Sequence, residues 1–252
     1  MLVEIALVER FGWVINKNNM QLFYEENITP MQMSLSAENM RHIVQVLRMQ
    51  IGESFLVTNG LGIKCKATIA SISKKDCVVT ISELEEVPKP TPEISLAIAF
   101  TKNTNRIEWL LEKITEIGVA NIYPLHTKRT EQLYPKKERL KHILVSAMCQ
   151  SKQYHLPFLH DINTLEKLLV EEKSNQKFIA HCIEDEKQTL LQIAAPNKSS
   201  LILIGPEGDF TKEEVSLCLQ QDCKPVSLGN NRLRTETAGL VAVTILNQIE
   251  SK

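Results

Sequence analysis

The chain has 252 residues, 43% of them hydrophobic, and its formal net charge at pH 7 is −1. This length allows one or two domains with a sizeable buried core. No apolar run approaches the roughly 20 residues that a membrane helix needs, so a membrane-spanning protein is excluded. The start, MLVEIALVERFGW, has no basic n-region and no cleavage site, which indicates a cytoplasmic rather than a secreted protein.

The cysteines indicate free thiols rather than a metal centre or a disulfide framework. All six stand singly, without a C-x-x-C spacing, at positions 65, 77, 149, 182, 218 and 223. Isolated cysteines are typical of a reduced compartment, and the sequence shows no zinc-type ligand pattern. We therefore expect no bound metal.

Charge is unevenly distributed along the chain despite the near-neutral total. Residues 1–84 carry eight basic and eight acidic side chains, whereas residues 100–155 carry ten basic and five acidic side chains. A basic zone of this kind can contact nucleic-acid phosphates. The solvated faces of two helices give the same pattern, so charge alone leaves both interpretations open.

The pattern over residues 1–84 predicts a first domain made mostly of β-strands. Ser54–Thr58 and Ile63–Ser71 flank a glycine-rich turn, and Cys77–Ile81 follows a second turn. Ser36–Met49 predicts an intervening helix whose first residue suits an N-cap. Short strands with one helix predict a small, closed, barrel-like module.

Residues 85–92 contain three prolines and three charged residues, which predicts a linker. From 93 to 252, strand and helix patterns alternate, which predicts a mainly parallel sheet covered by helices. The predicted strands before the last two are Glu93–Phe100, Asn121–Leu125 and 177–182. The predicted helices in the same stretch are Arg106–Ile117, which Gly118 ends, Lys137–Met148, 164–173 and 187–194.

Leu201–Ile204 predicts a buried strand that stops at the loop Gly205-Pro206-Glu207-Gly208. Glycines let a backbone approach a ligand closely. After the loop, Thr211 and Glu214 have the spacing of a capping box, which predicts the start of a helix. The loop lacks the G-x-G-x-x-G and G-K-[ST] patterns that bind dinucleotides and triphosphates. Taken alone, it fits an ordinary strand-turn-helix connection equally well.

Pro225–Leu228 predicts a second strand, followed by Gly229 and by two arginines, Arg232 and Arg234. Arginine suits bidentate capture of a carboxylate, a phosphate or a base edge. Thr235 then predicts the N-cap of a final helix with an apolar face at Ala238, Val241, Ala242, Ile245 and Ile249. We expect the two loops to lie at adjacent strand ends, where ligands bind in α/β proteins.

Together the two loops carry a family resemblance. G-P-E-G-D-F followed by L-G-N-N-R-L-R-T-E-T-A resembles the signature of the RsmE family, ribosomal RNA small subunit methyltransferase E. Three further stretches resemble family elements: His42 to Met49, Lys113 to Val119, and Gln150-Ser151 with Pro157. Cys149 and Lys152-Gln153 depart from the family pattern, which commonly has Glu and Arg there.

The resemblance implies an N-terminal PUA-like β-barrel, residues 1–84, and a C-terminal SPOUT α/β domain, residues 93–252, with a deep trefoil knot. It implies a homodimer that uses S-adenosylmethionine to methylate N3 of a uridine in 16S rRNA, within the assembled or assembling small ribosomal subunit. No metal is implied.

The resemblance also implies site residues. The methyl-donor pocket would be lined by Leu203, Gly205, Pro206, Glu207, Gly208, Leu228, Gly229, Leu233, Arg234, Thr235, Thr237 and Ala238. RNA contacts are expected from Arg41, His42, Arg48, Lys102, Arg106, Arg129 and Lys152, with His126 as a further candidate near the cleft. Arg234 is the expected stabiliser of negative charge on the uracil. Glu236 is either a proton acceptor or a favourable charge at the helix start.

Three alternatives compete with this interpretation. The donor motif also suits a methyltransferase acting on tRNA or on another rRNA base. A non-catalytic RNA-binding assembly factor is a second alternative, although intact Gly205, Gly208, Gly229, Arg234 and Glu236 disfavour it. A nucleotide-binding metabolic enzyme would need a phosphate-binding fingerprint, which this sequence does not contain.

Overall fold

The computed structural model describes residues 20–130, 136–183 and 187–250. The described chain forms two compact units, one of residues up to Asn59 with Ile63–Glu86, the other of Gly60–Gly62 with residues from Val87 onward. The opening segment, from which we predicted the absence of a secretion signal, lies outside the described residues. Among the described helices, none has both the length and the apolar composition needed to cross a bilayer.

The first unit is built on a five-stranded sheet in the order β1-β3-β4-β5-β2. The strands are β1 Leu22–Tyr24, β2 Gln32–Ser34, β3 Ser54–Thr58, β4 Ile63–Ile72 and β5 Cys77–Glu86. Alternate residues such as Phe55, Val57 and Ala67 are fully buried in its core, as the strand period requires. β5 extends beyond the predicted strand, so Glu85 and Glu86 of the predicted linker 85–92 belong to the sheet.

The predicted helix Ser36–Met49 is helical over Ala37–Val46, but only its first turn is an α-helix and it ends before Leu47. Helix α1 spans only Ala37–Met40, with the Ser36 hydroxyl accepting from the Asn39 amide at 3.3 Å. A π-helical segment, Arg41–Val46, continues it. The left-handed backbone of Arg48, φ 57°, follows this segment. The wider turn closes with a bond from the Leu47 amide to the His42 carbonyl, five residues back.

The second unit contains a parallel sheet in the order β11-β13-β10-β12-β6-β7-β8, and β9 also pairs with β7. Its strands are β6 Ile94–Ala99, β7 Asn121–His126, β8 Phe158–Leu159, β9 Asn163–Thr164, β10 Gln176–Ala180, β11 Gln188–Thr189, β12 Ser200–Ile204 and β13 Cys223–Ser227. Its helices are α2 Thr104–Ile117, α3 Lys137–Gln150, α4 Leu165–Glu171, α5 Leu190–Ile193, α6 Lys212–Gln220 and α7 Thr235–Glu250. The predicted parallel α/β sheet is therefore confirmed.

Several predicted boundaries in this unit need correction. The predicted helix 187–194 is a short strand, β11, followed by the single turn α5. The predicted strand Pro225–Leu228 starts earlier, because Cys223 already pairs with Lys177 of β10. Helices α2 and α3 each extend two residues beyond the predicted span, α2 at its start and α3 at its end.

Helices α2 and α7 bury their apolar faces in the core beside the sheet. In α2, the predicted stripe of Ile107, Leu110, Leu111 and Ile114 is fully buried, and Gly118, φ 104°, ends the helix. In α7, Ala242 and Ile249 are buried as predicted, but Val243 and Leu246 complete the buried face. Val241 and Ile245 are only half-buried, so the predicted face of α7 is rotated from the observed one.

The capping box of α6 yields a stability prediction. The Thr211 hydroxyl accepts from the Glu214 amide at 3.3 Å, and the Glu214 carboxylate accepts from the Thr211 amide at 2.8 Å. We expect Thr211→Ala to lower the free energy of unfolding by about 1 kcal/mol. Thr211→Ser, which keeps the hydroxyl, is the matched control. Urea denaturation followed by circular dichroism measures both, and equal stabilities for the two variants would contradict the proposed role of the cap.

Candidate functional site

The site begins with the alignment of three parallel strand ends. β10 pairs with β12 on one side and with β13 on the other, and Ala180 aligns with both Ile204 and Val226. The loops that follow these strands therefore leave the same edge of the sheet. Our expectation that the β12 and β13 loops follow adjacent strands is wrong, because β10 lies between them.

A pocket of about 680 Å³ lies at this edge. Nine predicted donor-site residues line it: Gly205, Pro206, Glu207, Leu228, Gly229, Leu233, Arg234, Thr235 and Ala238. The two motif loops, distant in sequence, thus form the walls of one cavity. The assignment of these residues to a methyl donor stays a prediction at this point.

Three predicted donor-site residues do not line this pocket. Leu203 is fully buried in the hydrophobic cluster on the face of the sheet opposite to Ile204, because successive strand residues point to opposite faces. Gly208 lies against the side chain of Arg129, whose Nη1 donates to the Gly208 carbonyl at 2.6 Å. Thr237 lines a neighbouring depression instead.

The loop after β12 is folded tightly on itself. A Cβ on Gly205 would lie 3.1 Å from the Phe210 ring, so only glycine fits there without a shift. Asp209 accepts hydrogen bonds from the amides of Cys182 and Phe210, both at 2.8 Å. The first of these bonds ties the β12 loop to the end of β10 and fixes one corner of the pocket.

The loop after β13 leaves its backbone open to a ligand. Gly229 has φ 135°, a conformation that other residues rarely adopt. The Ser227 hydroxyl accepts from the Gly229 amide and donates to its carbonyl. Within the described chain, no hydrogen bond involves 230–233. Residues 230–232 are exposed, so the amide and carbonyl groups of this loop are available to a polar ligand.

The start of α7 differs from the prediction. Thr235 is the first helical residue and is buried, and the Ala238 amide donates to the Arg234 carbonyl, so Thr235 is not the N-cap. Arg232 and Arg234 are exposed and form no ion pair with another described residue. Both guanidinium groups are thus free to bind an anion or a base edge.

Glu236 is a buried acidic group in the pocket wall. The residue is only 6% exposed. Its Oε1 lies 3.6 Å from Arg106 Nε, and its buried Oε2 accepts no hydrogen bond from any described residue. A buried carboxylate oxygen without a donor is costly, so this atom is suited to a donor supplied by a ligand. Arg106, predicted as an RNA contact, lines the same pocket.

The other predicted RNA contacts are distributed over both units. Arg41, His42 and Arg48 are exposed in the first unit, and the His42 ring packs edge-on against Phe23 with ring centroids 5.7 Å apart. In the second unit, Lys102 and Lys152 are exposed and line neither the pocket nor the depression.

Neither predicted residue of the loop after β7 lines the cavity: Arg129 contacts Gly208, and His126 is exposed. The Lys128 amide donates to Glu214 Oε1 at 2.8 Å, which anchors this loop to α6. Much of the basic zone is neutralised by ion pairs, such as Arg139 with Glu108 and Lys137 with Asp161.

Sequence reasoning missed the contribution of β10. Ala180, His181, Cys182 and Lys187 line the pocket, and Lys187 Nζ donates to the His181 carbonyl at 3.0 Å. A strand over 177–182 was predicted, but chain order does not reveal that it lies between the motif strands. Within the described residues, no group of three or more His, Cys, Asp or Glu side chains is arranged to hold a metal.

Family models match both units of the chain. Residues 87–247 match an RNA methyltransferase domain, and residues 35–82 match an RNA methyltransferase PUA domain. The ribosomal RNA small subunit methyltransferase E of Bacillus subtilis is 28% identical over 228 residues, which are 85% of this chain and 89% of that protein. The corresponding Rickettsia conorii enzyme is 28% identical over 82% of this chain and 86% of its own length.

Solved structures show the same similarity. A Porphyromonas gingivalis protein named as a probable rRNA-methyltransferase is 36% identical, with a TM-score of 0.87 over 92% of this chain and 99% of its own. A ribosomal RNA small subunit methyltransferase E from Neisseria gonorrhoeae, bound to S-adenosyl methionine, is 25% identical, with a TM-score of 0.82 over 92% and 98% of the two chains. The chain thus belongs to the ribosomal RNA small subunit methyltransferase E family, with a PUA-like first domain.

Proposed function

We propose that this protein transfers a methyl group from S-adenosylmethionine to N3 of a uridine in 16S rRNA, within the assembled or assembling small ribosomal subunit. The observation that carries the proposal is the pocket at the ends of β10, β12 and β13, with an open backbone at 230–233 and an unsatisfied Glu236 in its wall. The Neisseria gonorrhoeae family member, solved with S-adenosyl methionine, supports the choice of donor.

The pocket fits the donor in size and chemistry. Its volume of about 680 Å³ lies within the range of typical small-molecule sites. Free backbone amides and carbonyls at 230–233 can pair with an adenine edge, while the glycine loop Gly205–Gly208 allows close approach to the ribose. The predicted donor residues Leu203, Gly208 and Thr237 have at most a supporting role, since they lie outside the cavity.

The residues around the pocket have separate tasks in the proposed reaction. S-adenosylmethionine, when bound, supplies a methyl group on a positively charged sulfur. Holding the uracil in line with that group supplies much of the rate. Arg234 stabilises the negative charge that develops on the uracil oxygens as N3 loses its proton. Glu236 accepts that proton, and its ion pair with Arg106 orients the carboxylate.

Both domains contribute to the proposed binding of RNA. The proposed phosphate and base contacts come from both domains. They are Arg41, His42 and Arg48 of the PUA-like domain, and Lys102, Arg129 and Lys152 of the α/β domain. The α/β domain contains the deep trefoil knot that the resemblance implies. We place the enzyme in the cytoplasm, with its ribosomal substrate. We place the first domain at residues 1–86, because β5 ends at Glu86, the linker at 87–92 and the α/β domain at 93–252.

Methyl transfer from labelled S-adenosylmethionine to unmodified small subunits, free 16S rRNA and tRNA tests the proposed reaction. Nucleoside mass analysis is expected to recover the label as 3-methyluridine from the subunits or their rRNA. Label in tRNA or on another base would replace the substrate and keep the enzyme class. Donor binding without any transfer would support the non-catalytic assembly factor.

Arg234→Ala tests the stabilisation of the uracil anion in the same assay. We expect kcat to fall about 10²- to 10³-fold, as it does when one donor to a developing oxyanion is removed. Donor affinity, measured by calorimetry, reports whether the pocket remains intact. Lys224→Ala, which removes an exposed positive charge near the opposite end of β13, is the matched control. Full activity of Arg234→Ala would remove this residue from the reaction.

Cys182 gives a test of the donor pocket that does not depend on activity. The Cys182 thiol is exposed in the pocket wall, whereas four other cysteines are buried. The sixth, Cys149, is half-buried, and burial raises the pKa of its thiol to about 11. We expect iodoacetamide to alkylate Cys182 first. S-adenosylmethionine at ten times its Kd should slow this reaction about tenfold, because it occupies most of the pockets.

Cys182→Ser identifies any background labelling in that experiment. If saturating donor leaves the alkylation rate of Cys182 unchanged, the donor binds elsewhere and the pocket assignment is wrong.

The proposed homodimer is tested by sizing at several concentrations. Helix α7 keeps apolar side chains at Leu240, Val241 and Ile245 only half-buried, which suits packing against a second copy. We expect an apparent mass of two chains over the measured range. A persistent monomer would contradict the homodimer that the family resemblance implies.

A further inference from the structure

Beside the donor pocket lies a second depression, of about 590 Å³, that the proposed function leaves without an occupant. It is bounded on one side by the start of α2 and on the other by the start of α7. Arg106, Arg234 and Glu236 line both cavities, so they form the wall between them. A base in the depression would therefore lie next to the donor, at the edge that the two cavities share.

The far side of the depression is formed by a tryptophan. Trp109 lies on α2, whose other face is fully buried, and 43% of its surface is exposed. A large exposed aromatic ring in a concave surface is a stacking platform for a planar ligand. Stacking of a nucleobase on such a ring stabilises binding without regard to sequence.

Hydrogen-bonding groups surround the tryptophan. Asn103 caps α2 by accepting from the Asn105 amide at 3.1 Å through Oδ1, which leaves its NH₂ group without a partner among the described residues. The Asn105 side chain also makes no hydrogen bond within the described chain. On the opposite wall, Glu236 Oε2 is buried and without a donor. The depression thus offers amide donors near the ring and one carboxylate acceptor in the shared wall.

We propose that this depression binds the acceptor base, a single unstacked uracil, with its face on Trp109 and its N3–H donating to Glu236. This inference rests on the proposed function. A cytosine lacks the N3–H and does not satisfy the carboxylate, so the same atom selects uracil. The base must leave its stack to reach the site, as in other enzymes that act on bases.

In the proposed reaction, the bonds, the proton and the electron pairs are all accounted for. The N3–H bond breaks, and its proton passes to the Glu236 carboxylate and then to water. The electron pair on N3 forms the new bond to the methyl carbon. The electron pair of the broken carbon–sulfur bond stays on sulfur, which becomes a neutral thioether.

Trp109→Ala and Trp109→Phe in the full-length protein test the stacking role. We expect Trp109→Ala to lower kcat/KM for small subunits about tenfold or more, the loss of one base–aromatic stack, and Trp109→Phe to retain most of it. Donor affinity by calorimetry should stay within about twofold of the wild type, since Trp109 does not line the donor pocket. Phe158→Ala is the matched control, an exposed aromatic ring that lines neither cavity.

Fluorescence provides a readout that is independent of turnover. The chain has two tryptophans, so Trp13→Phe leaves Trp109 as the single emitter. Pentauridylate is expected to quench this emission, and its 3-methyluridine counterpart, which lacks N3–H, should bind about tenfold or more weakly. Glu236→Gln keeps an acceptor oxygen, so quenching should persist while kcat falls about 10²-fold or more.

The outcomes separate the two proposals. Wild-type kcat/KM in Trp109→Ala, an absence of quenching, or a loss of donor affinity in that variant would each overturn the base site while transfer by the wild type stands. An unchanged kcat in Glu236→Gln would overturn the role of its carboxylate. An absence of donor binding and of transfer in the wild-type protein would instead reject the proposed function itself, and the base site with it.

Discussion

The parallel pairing of β10 with both β12 and β13 is the constraint on which the site depends. Because Ala180 aligns with Ile204 on one side and Val226 on the other, the three strands end at one level. Parallel strands send their following loops to the same edge of the sheet. Two loops that are about twenty residues apart in sequence therefore face each other across the end of a third strand.

Carboxylates hold the loops after β12 and β7 in place by accepting hydrogen bonds from backbone amides. Asp209 joins the β12 loop to Cys182, and Glu214 joins α6 to the loop after β7 through the amide of Lys128. Charge-assisted bonds of this kind are among the stronger ones in proteins. Residues 230–233 and Glu236 line the same pocket as Asp209, and neither the backbone of 230–233 nor Glu236 Oε2 has a hydrogen-bond partner within the described chain. Fixed loops beside groups that are free to bind are the arrangement expected of a binding site.

Ion pairs within the α/β unit explain why the excess of basic residues is a weak indicator of RNA binding. The excess of basic residues over 100–155 includes Lys113, Lys137 and Arg139, which pair with carboxylates of the same unit. Surface pairs contribute little to stability, but they reduce the positive potential that a phosphate backbone meets. Arg232 and Arg234, outside that zone, have no ion-pair partner among the described residues and lie at the pocket.

The sequence by itself determined the parallel α/β class, the buried stripe of α2 and the capping box of α6, because these follow from local periodicity and loop chemistry. Nine residues of the pocket wall were implied by the family resemblance of the two loops. Sequence reasoning misplaced the cap at Thr235, extended the helix after Ser36 too far, and placed Leu203 in the pocket. Only the tertiary structure decided that β10 separates the motif strands, that Trp109 and Glu236 line one depression, and that Glu236 Oε2 has no donor among the described residues. Strand order and the pairing of polar groups from distant segments arise from tertiary contacts, which no local pattern encodes.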